Sequence, residues 1–374
     1  MSIERNKVLA AVAKENHQIE LLDFDFPKIT STTGTLKIEM TGMCGSDWPY
    51  FLNYPQTKGP MVLGHETVGH VHQIGIEAFS RWGVKEGDRV ALEEYLPCGH
   101  CHYCRTGDFR LCDETDTLLG NGVRYGSTPI AVQPSLWGGY ARYQYLHANT
   151  VFHKIPTGMS SQLASLALPL GNGVEWANIQ GRAGLGKCVV IQGPGQQGLA
   201  CTVAAHQAGA SQIIVTGLKA DHHRLSLAKE LGAHHTIAVD DADLLESIAD
   251  LTGGLFADVV IDCSSGGEET VISAIQIARK GGLVLLCGRK GVPIKEFHSD
   301  QLFKKHLTVR GMRGHSYQAV EMAISIIASG QYPLQKLCTH TFKLDDLELA
   351  LKTVGGKGLP NAIHCCIDPW KDTE

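Results

Sequence analysis

The amino-acid sequence predicts an α/β protein made of a doubly wound parallel sheet and a second, mainly antiparallel β domain whose chain is discontinuous. Three observations lead there. The 374 residues exceed what one hydrophobic core usually holds, about 250–300. The middle of the chain alternates short apolar runs with helical segments, the beat of βαβ units. The flanks alternate β-branched runs with Gly-, Pro- and Asp-containing turns.

In chain order, GTLKIEM (34–40), TVGHVHQIG (67–75), DRVALEEY (88–95) and GYARYQYL (139–146) show strand-like alternation, and residues 1–158 are assigned to the antiparallel domain. SSQLASLALPLGNGVEWANI then has helical spacing, and KCVVIQGPGQQGLACTVAAHQAGA reads as strand, glycine turn and helix. The beat continues in QIIVTG with HHRLSLAKELGA, HTIAV with ADLLESIADLTG, and ADVVIDCSS with ETVISAIQIARKGG, and LVLLCGRKG closes it. CVVI, QIIV, DVVI and LVLL lack alternation, as strands covered on both faces should. This central domain is placed at 159–300, and 301–374 return to the first domain through the helix SYQAVEMAISIIASG and the strands CTHTFKL and NAIHCCI. The strand LTVRGMRG reads as an exposed edge available for subunit pairing.

A net charge of −5 without a Lys/Arg block argues against a nucleic-acid partner. No apolar run approaches the ~20 residues of a membrane span, and the first residues lack a secretion-signal pattern. The expected compartment is therefore the reducing cytoplasm, where twelve cysteines and eighteen histidines point to metal or redox chemistry rather than to a disulfide framework.

Cys98, Cys101, Cys104 and Cys112 form C-x2-C-x2-C-x7-C within a lobe at about 96–113. Four thiolates about 2.3 Å from one point saturate a tetrahedral zinc, so the expected role is structural. Iron–sulfur sites and zinc knuckles use similar spacings, against an acidic balance and the lack of an electron-transfer context.

Gly193, Pro194, Gly195, Gln196, Gln197 and Gly198 match G-x-G-x-x-G between a strand and a helix, the context that makes the motif informative. The glycines allow the turn, the approach of a pyrophosphate and close helix–strand packing, with the anion on the helix N-terminus. An acidic residue about 20 positions on usually accepts the ribose hydroxyls of NAD, but Gly217 stands at that strand end. Lys219, His222, His223 and Arg224 lie just beyond and suit a 2′-phosphate, while Asp221 suits a ribose; NADP is placed ahead of NAD.

Cys44 in MCGSD and His65-Glu66 in LGHETVG offer a thiolate, an imidazole and a carboxylate, the ligand types of zinc sites that keep a position open. Such a site polarises a carbonyl or stabilises a deprotonated hydroxyl. Taken one at a time, Cys44 reads equally as a core thiol and His65 as a turn histidine.

MCGSD, GHETVG, KEGDRVA, the four-cysteine lobe, GGYARY, the fingerprint, DVVIDCSSG and LVLLCG together resemble the zinc-dependent medium-chain dehydrogenase/reductase family, over nearly the whole chain and in the family's order. The resemblance implies a Rossmann-type domain, a GroES-like domain, two Zn2+ per subunit, and a homodimer or homotetramer. It also implies an NAD(P)-dependent alcohol dehydrogenase that moves a hydride between a secondary alcohol or its ketone and the cofactor. By position, Cys44 and His65 become catalytic-zinc ligands and Glu66 a third ligand or close neighbour. Asp47 would hold the far nitrogen of His65, and Ser46 would be the first hydroxyl of a proton relay. Backbone around Cys287 and Gly288 would meet the nicotinamide amide, and Arg313 would reach cofactor or substrate. The family pattern has a Cys or Glu where this chain has Leu168, which puts the fourth ligand in doubt. Trp48, Tyr50, Phe51 and Trp137 are candidates to line the substrate site, and Leu168 near the metal favours a substrate less polar than a sugar alcohol. The remaining seven cysteines read as small core residues. Two other functions fit less of the pattern: a zinc-free quinone- or enoyl-type reductase on the same fold, and a non-catalytic nucleotide-binding protein.

Overall fold

The period-two runs of the first third become antiparallel strands in the computed structural model, which describes residues 7–116, 122–295 and 297–371. The chain forms two units, Met1–Leu168 with Leu337–Glu374, and Pro169–Lys336.

In the first unit, Gly34–Met43 is the central strand. It pairs along its length with Glu66–Ile74, at its start with Tyr143–Leu146 and at its end with His364–Ile367. Arg89–Leu92 and Phe152–Lys154 extend the sheet on one side, and Cys338–Phe342 joins His364–Ile367 in parallel on the other. Lys7–Lys14 forms a smaller sheet with Gln18–Asp25 and Met61–Val62. Leu36, Ile38, Met43, Val62, Leu63, Val90, Leu92 and Tyr140 are all within the buried core of this unit. The run DRVALEEY leaves the sheet at Leu92, because Glu93 and Glu94 turn into the interior to meet buried partners. Glu93 lies 3.0 Å from His153, with both side chains fully buried.

The second unit holds six parallel strands in the order His235–Ala238, Gln212–Gly217, Cys188–Gln192, Ala257–Asp262, Ala278–Leu286 and Thr308–Gly311. The apolar runs stack in register, with Val190 between Ile214 and Val260. Strand order reverses beside Cys188–Gln192, which puts a ligand crevice at the carboxyl ends of that strand and of Ala257–Asp262. Asp243 accepts the Glu246 N–H (2.8 Å) to start Leu244–Leu251, and Ser316 accepts the Ala319 N–H (3.3 Å) to start Tyr317–Ser329. The segment expected as one helix from Ser160 is broken into Ser161–Ala164, Ala167–Gly173 and a π-helical turn, Val174–Gln180. That wider turn turns Glu175 inward, where its carboxylate accepts from the Ser316 hydroxyl at 2.6 Å and from Gln180 Nε2 at 2.8 Å.

Candidate active site

The four cysteines of the lobe converge. The sulfurs of Cys98, Cys101, Cys104 and Cys112 all lie within 4.8 Å of one another. Backbone N–H groups point at them, from Cys98 to the Cys112 sulfur (3.4 Å) and from Cys101 to the Cys98 sulfur (3.3 Å). At Cys112 burial is outweighed by the Cys98 N–H and by Thr115, which draw the thiol down to about 6, while burial pushes Cys104 up. Four sulfurs this close repel as thiolates unless a cation stands among them, and a tetrahedral Zn2+ fits that donor set.

The second cluster is built where two antiparallel strands end together. Gly42 pairs with Glu66, so Cys44, just past one strand, and His65, just before the other, arrive at the same place. Cys44, His65 and Glu66 each offer a ligand atom within 4.8 Å of the others. Asp47 opens the helix Asp47–Lys58 and is fully buried. One of its oxygens accepts from the Cys44 N–H (2.9 Å) and the Tyr140 hydroxyl (2.8 Å), and the other lies 3.4 Å from His65 Nδ1. His65 is thus held from behind, with Nε2 left to face the cluster. Burial disfavours its imidazolium, but the Asp47 and Glu94 carboxylates outweigh burial and hold its pKa well above the ordinary value. Soft sulfur, imidazole nitrogen and carboxylate oxygen are a donor set that fits zinc. Ser46 precedes Asp47 and caps no N–H with its side chain, and Leu168 is buried.

Two residues beside the cluster carry no motif in the sequence. Glu94 brings a carboxylate oxygen to 3.8 Å from His65 Nε2. The same oxygen pairs with Arg124, whose guanidinium lies 4.7 Å above the Tyr95 ring. The only hint at Glu94 was the acidic pair that closes a strand just before the lobe. Of the four aromatics considered for the substrate site, Tyr50 has its ring 6.2 Å from that of His65. Phe51 and Trp137 are buried in the core, and Trp48 packs within 6.0 Å of Phe51.

The fingerprint occupies the crevice end of the parallel sheet. Gly193 turns with φ +90°, and its N–H reaches Thr216 O at 2.9 Å. Gly195 is the N-cap of the helix Gln196–Gln207, whose N-terminus suits an anion. A Cβ on Gly198 would fall 1.9 Å from Gly193 O, so only glycine lets this helix close on its strand. Pro194 and Gln197 complete the turn and its first helical positions. A Cβ on Gly217 would fall 2.7 Å from Pro194 Cγ. Lys219 reaches Asp241 (3.1 Å), Arg224 reaches Asp221 (3.1 Å), and Asp221 also accepts the Leu218 N–H (3.1 Å). The N–H groups of Cys287 and Gly288 both go to Asp262 O at 2.9 Å. Arg313 is half-buried beyond the strand Thr308–Gly311. Of the seven cysteines read as core residues, Cys201, Cys365 and Cys366 are buried and the other four only partly so, and Cys201 lies 3.8 Å from Cys263, which also meets Cys287.

Among the described residues, no helix is long and apolar enough to cross a membrane. Residues 32–157 match the alcohol dehydrogenase GroES-like domain, and residues 198–329 match the zinc-binding dehydrogenase family. A protein of Mycobacterium tuberculosis named "probable alcohol dehydrogenase" is 35% identical, over 97% of this chain and 98% of its own. A sorbitol dehydrogenase of Halalkalibacterium halodurans is 30% identical, over 85% of this chain and 87% of its own. The crystal structure of an alcohol dehydrogenase from Thermus sp. ATN1 superposes with a TM-score of 0.83 at 25% identity, covering 96% of this chain and 99% of that one.

Proposed function

This chain belongs to the zinc-dependent medium-chain dehydrogenase/reductase family, and from that premise we propose that Cys44, His65 and Glu66 hold the zinc of an alcohol dehydrogenase that interconverts a secondary alcohol and its ketone. The chain is a zinc-dependent alcohol oxidoreductase. The observation that carries the site reading is the convergence of those three donors with His65 oriented by Asp47.

Zinc bound there supplies Lewis acidity toward the substrate oxygen, and a bound nicotinamide dinucleotide supplies the hydride acceptor. The Asp47 oxygen 3.4 Å from His65 Nδ1 would hold the ring so that Nε2 could serve a bound metal. Tyr140 and the Cys44 N–H hold Asp47 in turn, so the carboxylate that faces the histidine is itself fixed by two hydrogen bonds. The Ser46 hydroxyl takes the substrate proton outward. Gly193 to Gly198 receive the pyrophosphate on the helix N-terminus. Arg313 and the backbone at Cys287 and Gly288 act toward the nicotinamide end.

NADP is placed ahead of NAD: Gly217 leaves the strand end without a carboxylate, and Lys219 and Arg224 stand near it. A second zinc belongs in the four-cysteine lobe. The outer edge of Thr308–Gly311 supports a homodimer or homotetramer, which light scattering measures. Twelve cysteines outside any disulfide support a cytoplasmic setting.

The test is zinc per chain together with cofactor reduction on a panel of secondary alcohols, before and after Cys44→Ser. Two zincs falling to one, with loss of turnover and an unchanged circular dichroism spectrum, is the expected result. A single zinc held by the lobe, with turnover that survives the substitution, would point instead to a zinc-free reductase. Cofactor binding with no turnover of any alcohol would leave a nucleotide-binding protein.

A further inference from the structure

The charged pair beside His65 is expensive to keep. Glu94 and Arg124 are 7% and 6% exposed. A buried ion pair is a weak source of stability, since desolvation offsets most of its attraction and apolar residues of the same volume often serve as well. This pair is also incomplete: Arg124 Nε is buried and has no hydrogen-bond partner among the described residues. A buried donor without a partner calls for an explanation, because folding has stripped its water and returned nothing. The pair is held in place from below, by the Tyr95 ring under the guanidinium. Lys58 stands near enough that, after burial, the charge of Arg124 is the further cause lowering its pKa.

We propose that Arg124 and Glu94 form a subsite that reads a hydroxyl on the carbon next to the reacting one, so that the substrate is a vicinal diol and the product its α-hydroxy ketone. The inference rests on the dehydrogenase reading of the Cys44, His65 and Glu66 cluster. A hydroxyl is the small neutral group that accepts and donates at once, and it satisfies the Arg124 Nε–H and a Glu94 oxygen together. An alkyl group offers neither role and leaves the donor buried and bare. A carboxylate or phosphate would suit the guanidinium but would meet the charge of Glu94, which already neutralises it. The 3.8 Å between Glu94 and His65 Nε2 sets the recognised group close to the donor cluster, hence on the neighbouring carbon rather than at a distant end. The second carboxylate of this site therefore comes from Glu94, whereas position 168 is leucine. A subsite of this kind opposes the preference for a less polar substrate that Leu168 suggested.

The experiment compares kcat/KM of the zinc-loaded enzyme for butane-2,3-diol, butan-2-ol and 3-hydroxybutanoate. The wild type is expected to favour the diol over butan-2-ol by on the order of 100-fold or more, as sites built around a substrate hydroxyl do. In the double variant Glu94→Leu/Arg124→Met the ratio should collapse toward one, chiefly through KM for the diol, with two zincs per chain retained. With reduced cofactor, the wild type should reduce acetoin at a lower KM than butanone. Equal use of diol and butan-2-ol by the wild type overturns the subsite, and so does a preference for the hydroxy acid that Glu94→Gln increases. The comparison of the diol with butan-2-ol needs no variant to fold. Failure of all three substrates, with cofactor bound, overturns the dehydrogenase reading itself.

Discussion

Asp47 shows how one side chain sets the chemistry of another. Its two oxygens serve different masters: one is held by Tyr140 and the Cys44 N–H, and the other meets His65 Nδ1. Asp47→Asn keeps the shape but presents an amide that cannot fix the imidazole tautomer in the same way. Zinc affinity, measured by chelator competition, should fall about 10- to 100-fold, with activity falling in parallel. Zinc retained at wild-type affinity would remove Asp47 from this role. The ligands were legible because Cys44 and the His65-Glu66 pair each sit in a short local motif. Arg124 was not, because its meaning depends on Glu94, thirty residues earlier, and on a loop that carries no periodic signal.

At the scale of elements, the strand Cys188–Gln192, its turn and the helix Gln196–Gln207 were readable in full, since glycine spacing encodes a close approach that needs no distant partner. Gly198→Ala puts a methyl group 1.9 Å from Gly193 O and must lift the helix off its strand. We expect a loss of about 1–3 kcal/mol in stability and weaker dinucleotide binding, the latter followed by cofactor fluorescence. Unchanged affinity would show that the helix can shift without disturbing the turn. The segment after Ser160 was harder to read. Its apolar spacing suits one helix, but the chain widens to a π-turn at Val174–Gln180 to bring Glu175 to Ser316, 141 residues away in sequence. Strand ends slipped for a similar reason: DRVALEEY continues the alternation past Leu92, yet burial partners draw its last residues out of the sheet.

For the molecule as a whole, the acid limb of stability has an identifiable source. Burial pushes the imidazole of His364, on the strand His364–Ile367, down to about 4 from its ordinary 6.5. The folded state therefore favours the neutral ring. The associated stability is fully present above pH 6.5 and is lost as pH falls toward 4, because the unfolded chain takes up the proton first. The loss amounts to about 3 kcal/mol over that interval. Denaturant melts at stepped pH should show it in the wild type and lack it in His364→Gln; parallel acid limbs in the two proteins would assign the loss elsewhere.

The contact between Gly217 and Pro194 bears on how such an enzyme changes over time. An acidic residue at the end of the second strand is the ordinary means of gripping an unphosphorylated ribose. Here any side chain at position 217 meets the proline ring of the neighbouring turn, so that residue arrives only if the turn shifts. Position 194 has to yield first. Cofactor choice is thus an epistatic trait in this chain: the order of mutations matters, and a lineage or an engineer who alters position 217 alone meets a steric barrier before any electrostatic gain.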